Sequence, residues 1–410
     1  MREQLNRPLH TMVCRKHQIW IWIVWLRVLT VTPNIRTATG ASSREIIPFD
    51  WGWKHRTGLT QWASPNDLPP KNTDPGPNPD ECHPDYDDSD WIDVQLPHDG
   101  LIINPPSQEA CPDGCSGRSY IPRHVLWYRN TFSLPDDWLD DDATSNGSGL
   151  GRSGLWIEFD GSFRNTTVWV NGVLVHNHVC GYTPFRIELK PCLLRPDGKK
   201  QTIAVFVDPD NGDEGGPSHG SGWWYEGGGL YRHVRLVKAN PVHVEPSSLF
   251  VKSHFSSPFL QGRTSSVILE VEGIIRRNNQ SNICFAFQVT NPHGLVVRDP
   301  EHKPLISEEN PSSTVTVRER ITINNPEIWT SAKPLMYQVD LILTNCQDQS
   351  TDIFDQVSVH HGIRKIHFDP NYGFFLNDQK YKIRGFCDHD TFAVVGMAVP
   401  DRINLFRAQM

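Results

Sequence analysis

Trp223-Trp-Tyr-Glu226 is the run of side chains in this chain best suited to handling a sugar. Aromatic faces stack on the C–H groups of a pyranose, and a carboxylate accepts hydrogen bonds from its hydroxyls. Packing at a domain interface is the alternative use for such a run. A second group lies far along the chain, where His389 stands between Asp388 and Asp390. An imidazole there offers one directional donor and one acceptor. His176, His178 and Cys180 alternate, so an extended strand puts all three on one face, as a zinc site uses; chance at a strand edge is the commoner origin of such spacing. His98-Asp99 has the form of half a hydrolase dyad, yet it belongs to a Leu-Pro-His-Asp turn that it is expected to hold together. The sequence carries no Ser nucleophile elbow, phosphate loop or heptad array.

The elements that must position these residues are short strands. A chain of 410 residues implies two or three domains. Charged residues at 21% and aromatics at 10% indicate a packed globular protein. Fourteen Trp serve either a core or a sugar face, and composition does not separate the two. The net charge of −8 argues against a nucleic-acid binder, because phosphate contact needs clustered Lys and Arg and no such patch appears beyond the N-terminus.

Residues 1–40 read as a targeting segment. Arg2, Arg7, Arg15 and Lys16 precede the apolar run Ile19–Leu26, and small residues around Ala38 and Gly40 suit cleavage. The run is shorter than the ~20 residues a spanning helix needs, so no stable membrane span is expected. A cleaved signal is favoured over an uncleaved anchor or a gene-model artefact, and a secreted or secretory-lumen location follows. The sequons at Asn146, Asn165 and Asn279 suit N-glycosylation on that route, with chance as the alternative. Of nine Cys, eight remain once Cys14 is removed with the signal; their pairing is not legible, beyond a local closure between Cys111 and Cys115. Cys387 is expected in a buried strand and unpaired.

Residues 41–240 alternate apolar and polar side chains in short runs between turns, among them Leu155–Asp160, Thr167–Asn171, Thr202–Val207 and His233–Val237, which predicts a sandwich. Residues 241–362 do the same through Ser266–Glu272, Ile283–Val289 and Met336–Leu343, at a size that suits an immunoglobulin-like sandwich. From residue 363 the pattern changes. Tyr381–Cys387 is expected as a strand, and Pro400-Asp401 opens a helix with Ile403, Phe406 and Met410 on one face.

Several segments fall in one recognisable order. Phe49-Asp-Trp-Gly-Trp-Lys54 comes first, then Trp91-Ile-Asp-Val-Gln-Leu-Pro-His-Asp99 and Trp127-Tyr-Arg-Asn-Thr-Phe132. Phe159-Asp-Gly161 leads to Val168-Trp-Val-Asn-Gly172 and Gly181-Tyr-Thr-Pro-Phe185, and Trp224-Tyr-Glu-Gly-Gly-Gly-Leu-Tyr-Arg232 closes the first region. Pro326-Glu-Ile-Trp329 with Pro334-Leu-Met-Tyr337 marks the second, and Gly385-Phe-Cys-Asp-His389 with Ala398-Val-Pro-Asp401 the third. From about Phe49 to Met410 the chain resembles glycoside hydrolase family 2, the β-galactosidases, β-glucuronidases and β-mannosidases, with the wording closest to a β-galactosidase. The resemblance implies a mainly-β architecture: a jelly-roll-like sugar-binding sandwich, an immunoglobulin-like sandwich, then, in residues 363–410, the first β/α unit of a (β/α)8 barrel.

The activity implied is retaining hydrolysis of a β-glycosidic bond, which uses two carboxylic acids roughly 5–5.5 Å apart. Family 2 supplies both as Glu on later barrel strands, the acid/base following an Asn. No Asn-Glu dipeptide occurs here, so neither catalytic residue is assigned, and the chain as written is expected to be a fragment that does not hydrolyse. The resemblance makes His389, Asp388, Trp224 and Glu226 substrate-binding, with a β-linked oligosaccharide or glycoconjugate as partner. A divalent metal such as Mg and a homo-oligomer are compatible with the family. Asp388 departs from the Asn common at its position, and Asp390-Thr391 from the more usual Gln-Asp. Arg232 is expected in a structural salt bridge. The alternative to a hydrolase fragment is a non-catalytic carbohydrate- or partner-binding protein built on the two sandwiches.

Overall fold

The computed structural model describes residues 44–57, 79–107, 120–135, 138, 154–195, 200–209, 224–256, 259, 263–277, 282–305, 314–347 and 353–410. The targeting segment, Trp223, Asn146, Asn279, Cys111 and Cys115 lie outside the described residues.

Period-two patterning builds the first sandwich. One antiparallel sheet runs in the order Glu45–Pro48, Val234–Ala239, Gly154–Phe159, Phe185–Glu188. The facing sheet has six strands, ordered Ile92–Val94, Trp53–Thr57, Leu126–Phe132, Gln201–Asp208, Asn165–Val170, Val173–His178. Ile157, Phe159 and Leu236 from the first sheet meet Leu126, Tyr128, Val168 and Val205 from the second in one core. Leu126–Phe132 and Gln201–Asp208 are buried on both faces, because Trp91, Trp127, Trp169 and Phe206 pack behind the second sheet. Much of the Trp content is therefore core: Trp53, Trp91, Trp127, Trp156 and Trp169 are all buried.

The second core is built the same way. Ser266–Arg276 alternates buried and half-buried residues without a break and pairs with Thr314–Asn324, Phe250–His254 and His243–Val244. A second sheet places Ile283–Thr290 beside Tyr337–Asn345, which pairs with Ile353–His361. Leu269, Val271, Phe287, Val339 and Leu341 fill the space between. A disulfide joins Cys284 to Cys346, a pairing the spacing left open. Arg44 links the two regions through an ion pair to Asp355 at 2.7 Å, and Arg276 does so through Glu188 at 2.9 Å. The architecture is a mainly-β, multi-sheet sandwich with little helix.

The last stretch departs from expectation. A small sheet forms from Ile366–Asp369, Gly373–Leu376 and Gln379–Lys380. Tyr381–Cys387 forms no strand, and residues 381–390 are all exposed. A strand is defined by its ladder, and no neighbouring strand among the described residues offers one here. Cys387 is correspondingly exposed rather than buried. The helix does form, over Asp401–Gln409 with Pro400 before it, but none of its residues is buried; Ile403 is half-covered while Phe406 and Met410 face outward.

Candidate functional site

The site is assembled from a turn, a glycine-rich loop and the exposed C-terminal stretch. The turn comes first, because Asp99 organises the rest. Its carboxylate accepts from the backbone N–H groups of Leu101 at 3.0 Å and Ile102 at 3.3 Å, closing the turn as the sequence suggested. It also accepts from the Tyr225 hydroxyl at 2.7 Å and from the Met397 N–H at 2.8 Å, which the sequence did not suggest. Burial raises the Asp99 carboxyl above its ordinary value, and these four hydrogen bonds pull against that rise. Two glycines are required by the approach. A Cβ on Gly227 (φ +68°) would sit 2.4 Å from the Asp99 carboxylate, and one on Gly396 (φ +60°) 2.1 Å from it. Both positions lie in the left-handed region that L side chains rarely adopt.

Asp99 thus fastens the loop carrying Trp224 and the segment following His389 to one point. With both held, the Trp224 indole and the His389 imidazole stack, ring centroids 4.5 Å apart and planes 23° apart. Two residues picked out separately in the sequence are brought together. Trp224 is half-buried and His389 exposed, so their edges remain open to a ligand.

Glu226 is placed differently from a free acceptor. It is buried, and one of its oxygens takes a hydrogen bond from Arg123 at 3.1 Å, both side chains almost wholly covered. Arg123 sits in a stretch with no motif, and nothing in the sequence pointed from it to Glu226. Asp388 is exposed and lies 3.6 Å from Arg407 on the helix, whose guanidinium also donates to the Thr391 carbonyl and covers the Phe392 ring. Tyr182 is half exposed at 45%. Burial is the main cause of its raised phenol pKa, with Glu226 and then Asp390 adding to it and Arg164 and Arg123 opposing. Beside Asp390 opens a pocket of about 190 Å³, lined among others by Tyr231, Arg232, His233, Met397 and Asp401. Arg232 reaches the carbonyl oxygens of Asp160 at 3.3 Å and Tyr182 at 3.2 Å and lies over the Tyr231 ring; the carboxylate of Asp160 is taken by Arg235.

His55, His98, His176 and His178 are packing groups. His98 meets the Tyr128 hydroxyl at 3.0 Å and stacks near His55, ring centroids 4.9 Å apart. Burial lowers His98 to about 4, and burial followed by the neighbouring His98 lowers His55 to about 3. Both are neutral packing groups at neutral pH, so His98-Asp99 is a joint rather than a dyad. His176 and His178 share a face, as the alternation requires, but both rings stack on Phe185 and His178 engages Thr183. Among the described residues no group of three or more His, Cys, Asp or Glu is arranged to hold a metal, so the divalent ion the resemblance allows finds no donor set there. Asn165 is half-buried, its amide oxygen accepting from Asn177 at 3.2 Å. No described helix is long and apolar enough to cross a membrane.

No family model matches the chain. Among curated proteins, it is 28% identical over 322 residues to the β-galactosidase BoGH2A of Bacteroides ovatus, covering 78% of this chain and 34% of that protein. It is 25% identical over 332 residues to a β-glucuronidase of Formosa agariphila, covering 78% of this chain and 32% of that one. Among solved structures, a β-glycosidase from Bacteroides vulgatus matches with a TM-score of 0.67 and 27% identity, over 89% of this chain and 40% of that chain. A β-glucuronidase from Bacteroides uniformis shares the fold with a TM-score of 0.68 at 23% identity, over 89% of this chain and 38% of that one. The chain spans about a third of the length of these curated relatives. On this evidence it is related, over part of their length, to the β-galactosidases and β-glucuronidases of the glycoside hydrolase family 2 superfamily.

Proposed function

We propose that this chain carries the sugar-recognition wall of a retaining β-glycosidase, β-galactosidase-like in its wording. In this reading the two β regions are the jelly-roll-like and immunoglobulin-like sandwiches and residues 363–410 open a barrel. The observation that carries it is the Trp224–His389 stack, in which a half-buried indole and an exposed imidazole lie nearly parallel with ring centroids 4.5 Å apart. Such a pair presents a hydrophobic platform for a pyranose beside a directional partner for its hydroxyls. Asp388 and Asp390 flank the imidazole in sequence, and Glu226, buried and held by Arg123, stiffens the loop that carries Trp224. The partner is a β-linked oligosaccharide or glycoconjugate. Retaining chemistry needs two Glu residues that are not assignable in this sequence, so the chain alone is expected to bind sugar and not turn it over.

Ligand-observed NMR with methyl β-galactoside tests the reading. Saturation transfer to the sugar that disappears in Trp224→Ala supports it; no transfer to the wild-type chain at millimolar sugar sinks it. A pure binding protein is the second reading, favoured by the two complete apolar cores that the described residues form without a barrel. Supplying a barrel-bearing relative's missing portion in trans separates the two, because only the first reading yields turnover. Export and glycosylation at Asn146, Asn165 and Asn279 belong to the same proposal. A mass loss after enzymatic deglycosylation of the secreted protein checks them.

A further inference from the structure

We infer that a pocket between the two β regions is a second binding site, built for a small hydroxycarboxylate the size of one sugar ring. It stands apart from the sugar-binding reading above, because it shares no lining residue with the pocket beside Asp390. Its volume is about 180 Å³. Roughly 150 Å³ is enough for a benzene-sized guest, so a single ring is the right scale. Trp156, Arg186, Glu188 and Lys190 line it from the first region, His243 and Arg276 from the second. Ligand pockets favour such junctions.

His243 supplies the first half of the recognition. Its side chain is only 3% exposed, and its ring lies 5.4 Å from the Trp156 indole, centroid to centroid. Nδ1 is 2.8 Å from the Asn240 carbonyl oxygen. A carbonyl only accepts, so Nδ1 carries the proton. Burial lowers the imidazole pKa, which keeps the ring neutral at neutral pH. Nε2 is therefore a lone pair with no partner among the described residues, in a ring that lines the pocket. A ligand hydroxyl is the donor it lacks. Charge supplies the second half. Glu245 has both oxygens taken, one by Arg186 and the other by Arg276 at 2.6 Å. Arg276 also donates to Glu188 at 2.9 Å, and Arg186 lies over the Trp156 ring. Just behind, Arg44 and Asp355 cancel within their own pair. Lys190 is exposed and has no carboxylate partner among the described residues. Three cations, Arg186, Lys190 and Arg276, thus face two carboxylates, Glu188 and Glu245, and the surplus positive charge is that of Lys190. A carboxylate is drawn to it, while a hydroxyl of the same ligand donates to His243.

D-Glucuronate, D-glucose and acetate are the probes. The two sugars differ only at C6, and acetate has the carboxylate without a hydroxyl. Ligand-observed NMR on the full chain at low salt is expected to show glucuronate binding at millimolar concentration, with glucose and acetate each at least about fivefold weaker. Lys190→Ala is expected to weaken glucuronate by at least about fivefold, Lys190→Arg to restore it to within about twofold, and high salt to narrow its advantage over glucose. Lys190 takes no part in the Trp224–His389 wall, so Lys190→Ala should leave methyl β-galactoside binding as it was. No glucuronate binding to the wild-type chain overturns the second site, whatever methyl β-galactoside does. Glucuronate binding undiminished in Lys190→Ala, or an equal loss of glucuronate and methyl β-galactoside in that variant, overturns its location. Equal binding of glucose overturns the role of charge, and equal binding of acetate overturns that of the His243 acceptor.

Discussion

The loop Trp224–Leu230 and the stretch 381–392 meet at one ring stack, yet they are held in opposite ways. The loop is enclosed. Its backbone ladders onto the first sandwich, with Gly229 exchanging hydrogen bonds with Phe163, His98 donating to the Leu230 carbonyl, and Gly100 to that of Gly228. Its charged member, Glu226, is paired and buried. The stretch on the other side lies open to solvent along residues 381–390; it is tied at Tyr381, which donates to the Ser331 hydroxyl at 2.8 Å, and again where Met397 reaches Asp99 and packs with Phe163 and Tyr231. One half of the site is thus preorganised by the sandwich, and the other is held at a few points of which Asp99 is the most buried. Sugar contacts made by Trp224 should be robust to perturbation elsewhere, and those made by His389 should depend on Asp99.

Removing that carboxylate breaks the comparison most severely. Asp99→Ala leaves the Tyr225 hydroxyl and three backbone N–H groups without their acceptor in a buried site. A loss of ~3–5 kcal/mol is expected, since a buried charged partner in a satisfied network is being deleted. Urea denaturation measures it. Hydrogen exchange should show residues 390–400 loosening more than the strands of the first core. If exchange rises equally everywhere, Asp99 is a general core group and not a joint.

The second core supplies the control. Cys284 and Cys346 close a loop of sequence separation 62 entirely within it. Under oxidising conditions, Cys284→Ala with Cys346→Ala is expected to lower stability by ~2–4 kcal/mol. It should leave the Trp224–His389 stack untouched, so sugar-dependent Trp fluorescence is the discriminating measurement. A lost sugar response would show that the two regions are coupled more tightly than their separate cores imply.

What the sequence disclosed divides along the same line. Strands such as Ser266–Arg276 and Gly154–Phe159 were legible because their alternation is set by one buried face. Pro400-Asp401 was legible because a helix start is a local event. Tyr381–Cys387 was misread because a strand's existence depends on neighbours, and its apolar residues say only that it could pair. Within the candidate site, Trp224 and His389 were singled out by residue type and family wording, and their stacking was not foreseen. Asp99's second role was not, since a turn motif satisfies its own pattern and gives no hint of Tyr225 or Met397. The pairing of Arg123 with Glu226 was invisible for the same reason: long-range partners of single charges leave no periodic trace.

Acid sharpens the comparison from inside the sandwich. In the unfolded chain His55 and His98 bind a proton near pH 6.5, whereas burial in the folded chain delays this to about 3 and about 4. Between those values the unfolded state holds more protons, so stability rises with pH there. Their contribution is complete above pH 6.5 and declines as pH falls toward 4. Asp99, with its raised carboxyl pKa, works in the opposite direction and offsets part of the decline. The pair alone contributes a loss of up to ~6 kcal/mol between pH 7 and pH 4, less the Asp99 offset, read as a falling urea midpoint. His98→Gln keeps a partner for the Tyr128 hydroxyl and should flatten the profile. A profile unchanged by that substitution would assign the acid sensitivity to other groups.

The smallest effect on stability is expected at the stack itself. An aromatic pair contributes ~0.5–1.5 kcal/mol beyond the area it buries, and one member here is exposed. Trp224→Ala and His389→Ala should therefore each shift the urea midpoint by no more than ~1 kcal/mol in free energy. Their consequences for binding should differ. If Trp224 is the platform proposed above, on the rigid side, its loss should abolish sugar contact outright. If His389 adds direction from the exposed side, its loss should weaken binding while leaving the platform usable. Combining His389→Ala with Asp99→Asn tests that attachment. If Asp99 acts by placing His389, the double variant binds no worse than His389→Ala alone. Additive losses would instead mean that Asp99 supports Trp224 as well, through Tyr225, and that the two halves of the site are not held independently.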